Sequence, residues 1–119
     1  MRDLEELKHD LTVPKLLFNQ RGSVHQALSK VLEIRNKWPK RIEFAEFQRL
    51  AEQVNGGAFD GRISKNGIRI LIELTCPADV KKRAEYSKAL KNARKARCKP
   101  SELADFFKSK GGIRKAAYG

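Results

Sequence analysis

Arg62-Ile63-Ser64-Lys65-Asn66-Gly67-Ile68-Arg69-Ile70-Leu71-Ile72-Glu73-Leu74 is the stretch on which the fold turns. Ile68, Ile70, Ile72 and Leu74 alternate with Arg69, Leu71 and Glu73. A period of two marks a strand with one apolar face. Asn66-Gly67 just ahead is the preferred dipeptide of a type I′ hairpin turn, which makes Arg62 to Lys65 the opposing arm. An isolated hairpin is marginal in water, so its isoleucine face is expected to lie on helices.

Upstream the pattern is helical. Leu4, Leu7 and Leu11 share one face over residues 2–12, and Pro14 is expected to stop that helix. Lys15 to Phe18 is a short apolar run and Arg21-Gly22 reads as a turn. Ser23-Val24-His25-Gln26 fits a capping box, the serine accepting from a backbone N–H and the glutamine reaching back. Val24, Ala27, Leu28, Val31 and Leu32 then follow at helical spacing to about Lys37, where Pro39 ends the run and Trp38 packs at the junction. Residues 41–55 repeat the pattern with Phe44, Phe47, Leu50, Ala51 and Val54, and Asn55-Gly56-Gly57 suits a left-handed stop. These two helices are expected to pack antiparallel as the core.

Downstream, Pro77 suits the first turn of another helix, and Asp79 complements its N-terminal dipole. That helix reads as far as about Arg97. Projected at about 100° per residue, Lys81, Lys88, Lys91, Lys95 and Lys99 fall within an arc of about 80°. Ala89, Ala93, Ala96, Tyr86 and Leu90 lie mostly on the other side. Lys99-Pro100 breaks the helix, and Ser101 opens a shorter one with Leu103, Ala104, Phe106 and Phe107 apolar. Gly111-Gly112 ends it, leaving Ile113 to Gly119 to add one helical turn or to fray.

Length and charge bound the function. The 119 residues suit a single domain, 1–119, with 40% hydrophobic and 34% charged residues pointing to a globular chain. Residues 1–60 hold 10 Lys/Arg and 9 Asp/Glu, a near-neutral helical half. Residues 61–119, the basic half of hairpin plus helices, hold 16 Lys/Arg and 5 Asp/Glu, so +11 of the net +12 resides there. A one-sided field of that size attracts polyanions. No apolar run reaches the ~18–20 residues that span a bilayer, and no basic-then-apolar leader opens the chain. Cys76 and Cys98 flank one expected helix, too far apart to bridge, which fits a reducing cytoplasmic setting. His9 and His25 have no partner at metal-ligand spacing.

The expected fold is mainly α with one β-hairpin, a single small domain. Its order of helix, helix, basic hairpin and long helix loosely resembles that of winged-helix proteins, where the hairpin is the wing. Glu43, Glu46 and Glu52 against Arg41 and Arg49 make the helix before the hairpin a poor recognition helix. Strand, helix, helix, as in ribbon-helix-helix dimers, would turn Arg69, Leu71 and Glu73 outward, a weak set of groove readers. A helix-turn-helix from residues 101–109 and 113–119 leaves only a short second helix.

These features point to a nucleic-acid-binding protein, with double-stranded DNA preferred, acting as a small regulator or accessory factor. Arg62, Lys65, Arg69, Lys81, Lys88, Lys91, Lys95 and Lys99 are the expected contacts. Lysines one heptad apart suit repeated phosphate contacts, which supply affinity and register. Base readout would fall to Arg62, Asn66 and Arg69, or to Asn92, Arg94 and Arg97. RNA binding is the first alternative. Single-strand recognition uses exposed aromatics, and this half has only Phe59, Tyr86, Phe106, Phe107 and Tyr118. An adaptor role, the basic surface meeting an acidic protein, is the second. The alanine face and Phe106-Phe107 suit either the core or a homodimer. No nucleophile–base set, phosphate loop, metal cluster or cofactor motif is present, so catalysis is not expected, and an alanine-rich face gains little at a membrane.

Overall fold

A computed structural model describes residues 2–119, and Asn66 opens a helix there rather than a hairpin turn. The Asn66 side chain accepts from the backbone N–H of Arg69 at 3.1 Å, as an N-cap does. Helix α4 follows over Gly67–Thr75. Arg62 to Lys65 form no strand arm. Ile63 and Ser64 both donate to the Asp60 carbonyl, at 2.8 and 2.9 Å, and Asn66 donates to the Ile63 carbonyl at 2.9 Å. The described residues contain no strand at all. The hairpin, and with it the winged-helix and ribbon-helix-helix orders, is therefore excluded; the fold is all helical.

The reason lies in what surrounds α4. Ile68, Ile70, Leu71, Ile72 and Thr75 are all buried, so the helix has apolar neighbours on nearly every side. A short apolar run buried all round carries no helical period, and alternation within it is incidental. Arg69 and Glu73 form the narrow polar edge and pair at 2.8 Å across one turn. A helix closes its own backbone hydrogen bonds, whereas a lone hairpin would leave half of them to find partners. Asn66→Ala should therefore cost about 1 kcal/mol of unfolding free energy, while Asn66→Gly costs only a few tenths. Urea unfolding of the two variants checks this; an Ala cost no larger than the Gly cost would deny Asn66 its capping role.

Of the six further helices, α1 (Arg2–Phe18), α2 (Val24–Lys37), α3 (Phe44–Asn55) and α5 (Val80–Lys95) pack on this segment, while α6 (Leu103–Lys110) and α7 (Ile113–Tyr118) pack on α2 and α5. Single 3-10 turns at Trp38–Lys40 and Pro100–Glu102 follow α2 and precede α6. Pro14 does not stop α1. The helix runs on to Phe18 because Leu7, Leu11 and Pro14 itself are buried on one face, which offsets the lost backbone bond. Ser23 starts α2 without a side-chain cap bond, so the capping box is not formed. Gly56 (φ 79°) and Gly111 (φ 93°) end α3 and α6 in the left-handed region, where a side chain would be strained. One contiguous core takes residues from all seven helices, with Trp38, Leu50, Leu71, Leu90 and Phe107 almost wholly enclosed. The near-neutral and the basic halves thus share a core.

An ionic corner ties α1 to the end of α2. Lys37 Nζ lies 2.8 Å from both Glu6 and Asp10, Trp38 Nε1 donates to Asp10 at 3.1 Å, and Arg41 pairs with Glu6. The hydrogen bond from Lys37, with help from Arg41, holds the Glu6 carboxyl below its ordinary 4.5. A carboxylate with a lowered folded pKa adds stability above its unfolded value and forfeits it as pH falls through the folded one. The thermal midpoint should therefore decline below about pH 4.5, and Glu6→Gln should flatten that part of the decline. A midpoint with the same acid limb in both proteins would show that the corner adds no acid-sensitive stability.

Candidate nucleic-acid interface

Helix α5 builds the most strongly charged surface. Asp79 caps it, its carboxylate accepting from the Lys82 N–H at 2.9 Å, so the helix begins three residues after Pro77. Ser87, Ala89, Leu90 and Ala93 are buried, which fixes the rotation of the helix. Lys81, Lys88, Lys91 and Lys95 then all stand in solvent on the remaining face. At about 1.5 Å per residue they span about 21 Å along the axis. None of the four forms an ion pair among the described residues, and no acidic residue of α5 falls within their arc. Lys82, on a different edge, is held by Glu85 at 3.1 Å and lies over the Tyr86 ring.

Lys99 does not extend this stripe. The helix ends at Lys95, and Arg97 takes a left-handed conformation (φ 59°) that redirects the chain. Lys99 is exposed, but it leads into the 3-10 turn, its backbone N–H donating to Glu102 at 3.2 Å. Arg69 is not free either. It is half-buried and bound to Glu73, whose other oxygen holds Arg83 at 2.7 Å. That clamp joins the C-terminal part of α4 to the start of α5, and at the other end of α4 Gly67 lies against Arg35, whose guanidinium feels the charge of Arg94. The turn bearing exposed Arg62 and Lys65 leads into that start of α4.

Two of the proposed base readers have structural work instead. Asn66 is the α4 cap, and Asn92 donates to the Ala116 and Ala117 carbonyls at 2.8 and 3.2 Å, closing the end of α7. The segment from Ile113 is thus a helix seated on α5 along the Asn92 edge, beside the stripe, and Ala89 and Ala93 of α5 pack within the core. Arg94 and Arg97 remain exposed.

The acids of this half are mostly engaged within the fold. Glu73 takes two arginines, Glu85 takes Lys82, Asp79 caps α5 and Glu102 accepts from Lys99. These pairings also neutralise Arg69, Arg83 and Lys82, so the excess charge of the half rests on its unpaired cations, the four stripe lysines among them. Cys76 is buried and Cys98 half-buried, and both are free thiols. Burial pushes both thiols up from their ordinary value. No helix of the described residues is long and apolar enough to cross a membrane.

Arg35 escaped the sequence reading. It sits on α2 amid unremarkable polar neighbours, and only the fold places it against α4. Comparison of the chain with family models, curated proteins and solved structures finds no match.

Proposed function

We propose that the protein binds double-stranded DNA through its C-terminal half, as a small regulator or accessory factor. The observation that carries this reading is the unpaired, acid-free row of Lys81, Lys88, Lys91 and Lys95 on the outer face of α5. Phosphates along one DNA strand recur about every 3.4 Å of axis, so a face about 21 Å long offers its four lysines a phosphate each. Arg62 and Lys65 add exposed charge on the turn leading into α4, and Arg94 and Arg97 supply planar donors suited to phosphate or to guanine. Stacking on single strands has little support. In the basic half Phe107 is buried and Tyr86 and Phe106 are half-buried, as is Phe59 just before it, leaving Tyr118 as the one exposed ring.

Titration against duplex DNA, single-stranded DNA and structured RNA of matched length, over a range of salt, tests the proposal. The expected result is a preference for duplex DNA, with log K falling steeply and linearly against log salt. A preference for RNA would transfer the surface to that ligand. No binding to any of the three at low salt would refute a nucleic-acid role and favour an acidic protein partner.

A further inference from the structure

A second site lies off the lysine stripe, at the junction of α2, α3 and the start of α4. Trp38, Pro39, Ile42, Phe44 and Phe47 wall a cleft of about 170 Å³, with Arg35, Glu43 and Gly67 at its rim. The walls are an aromatic set. Trp38 and Phe47 have ring centroids 6.2 Å apart, Phe44 and Phe47 6.3 Å. Phe44 is 43% exposed, so one ring face is open to the cleft's mouth.

Arg35 is the polar element, and it is unsatisfied. Its Nη1 is closed to solvent, the cleft included, and has no hydrogen-bond partner. No carboxylate offsets the charge: burial and the positive charge of Arg94 both push its pKa down. Bringing two guanidinium groups together and desolvating one is costly without an anion. Glu43 lines the same cleft, but its carboxylate makes no ion pair with Arg35.

Gly67 explains how the guanidinium reaches this place. It is buried, and a Cβ added to it would lie 2.9 Å from Arg35 Nε and 3.2 Å from Cδ. Its φ is not positive, so the turn itself does not require glycine. The absent side chain makes room for Arg35. Gly67 is also the first residue of α4, where backbone N–H groups favour an anion.

We propose that this cleft binds a small aromatic carboxylate, the ring held among Trp38, Phe44 and Phe47 and the carboxylate paired with Arg35. A cavity of about 150 Å³ accommodates benzene, so the space suits one substituted ring and is too small for a whole nucleotide. The guanidinium is a charged donor suited to a carboxylate, and Nη1 must turn toward the cleft for a two-bond pairing. The proposal is independent of DNA binding.

The test uses the full chain without nucleic acid and follows the Trp38 indole and Gly67 amide resonances. Trp38 is the only tryptophan, so its indole signal is unambiguous. Benzoate should shift both signals saturably. Benzamide, of like shape but neutral, and acetate, charged but ringless, should bind at least about tenfold more weakly. Arg35→Gln should abolish the benzoate preference over benzamide, and Gly67→Ala should weaken benzoate binding by displacing the guanidinium. Arg94→Gln, at an exposed position, serves as the variant that keeps the fold and should weaken benzoate less than Arg35→Gln does. Equal binding of benzoate and benzamide would overturn the charge pairing. Absence of any saturable shift, or shifts at these two signals with duplex DNA but not with benzoate, would overturn the site.

Discussion

Replacing Lys81, Lys88, Lys91 and Lys95 together with alanine is expected to weaken duplex DNA binding by about 3.6 decades at 0.1 M salt. Each phosphate contact contributes about 0.9 to the salt slope and roughly as many decades of affinity at that salt, so four contacts give a slope loss near 3.6. The fold should survive the change. All four positions are exposed within α5, alanine is the stronger helix former, and removing like charges relieves repulsion along the row. Circular dichroism and the thermal midpoint would verify that. Lys82→Ala is the matched control, since Lys82 is already paired with Glu85 on another edge. Affinity and slope unchanged in the quadruple variant would remove the α5 face from the interface. An equal loss per residue at Lys82 would show that only total charge matters.

Leu71→Ala is the second large effect, and it discriminates between the two readings of the decisive segment. In a hairpin, Leu71 would share the outward face with Arg69 and Glu73, and its truncation would cost little. In α4 the side chain is wholly enclosed. Removing it should cost about 2–5 kcal/mol, against a total stability of order 5–15 kcal/mol for a small domain. The thermal midpoint should fall by roughly 10 °C or more. Leu74→Ala, at a half-buried position, should cost clearly less. Denaturant unfolding of both variants settles the comparison; a Leu71 cost below that of Leu74 would contradict the enclosed helix.

Helices with one wet face were legible in the sequence, because water imposes their period. The apolar spacing of α2 and α3, the glycine stops at Gly56 and Gly111, and the lysine row on α5 all follow from amphipathic pattern and local backbone preference. Helix α4 has almost no wet face, so its pattern holds no such period, and its isoleucines suggest a strand. Two local signals pointed the other way: Asn66 as a cap, and Arg69 four residues ahead of Glu73. Pro14 is a similar case, its intrinsic cost exceeded by burial that only the tertiary arrangement supplies. The lysine row needed only α5 to be legible. The fate of Arg69 and Asn92 did not follow from sequence, because their partners are set by how α4 and α7 meet α5. The Arg35 cleft joins residues from three elements around an absent side chain at Gly67, a juxtaposition with no local signature.

The misleading alternation of Ile68 to Leu74 also has a chemical consequence. The run has high β-propensity, contains no proline and has no net charge, the composition of segments that assemble into intermolecular sheets. Within α4 its backbone groups are closed on themselves and its isoleucines are enclosed by the other helices. Once the core opens, both protections go together, and Arg69 and Glu73 are the only charges left within the run. Heating past the midpoint therefore sets refolding against aggregation seeded from this segment. The thermal transition then becomes dependent on scan rate and protein concentration, and the lifetime of the folded state rather than its free energy governs survival at high temperature.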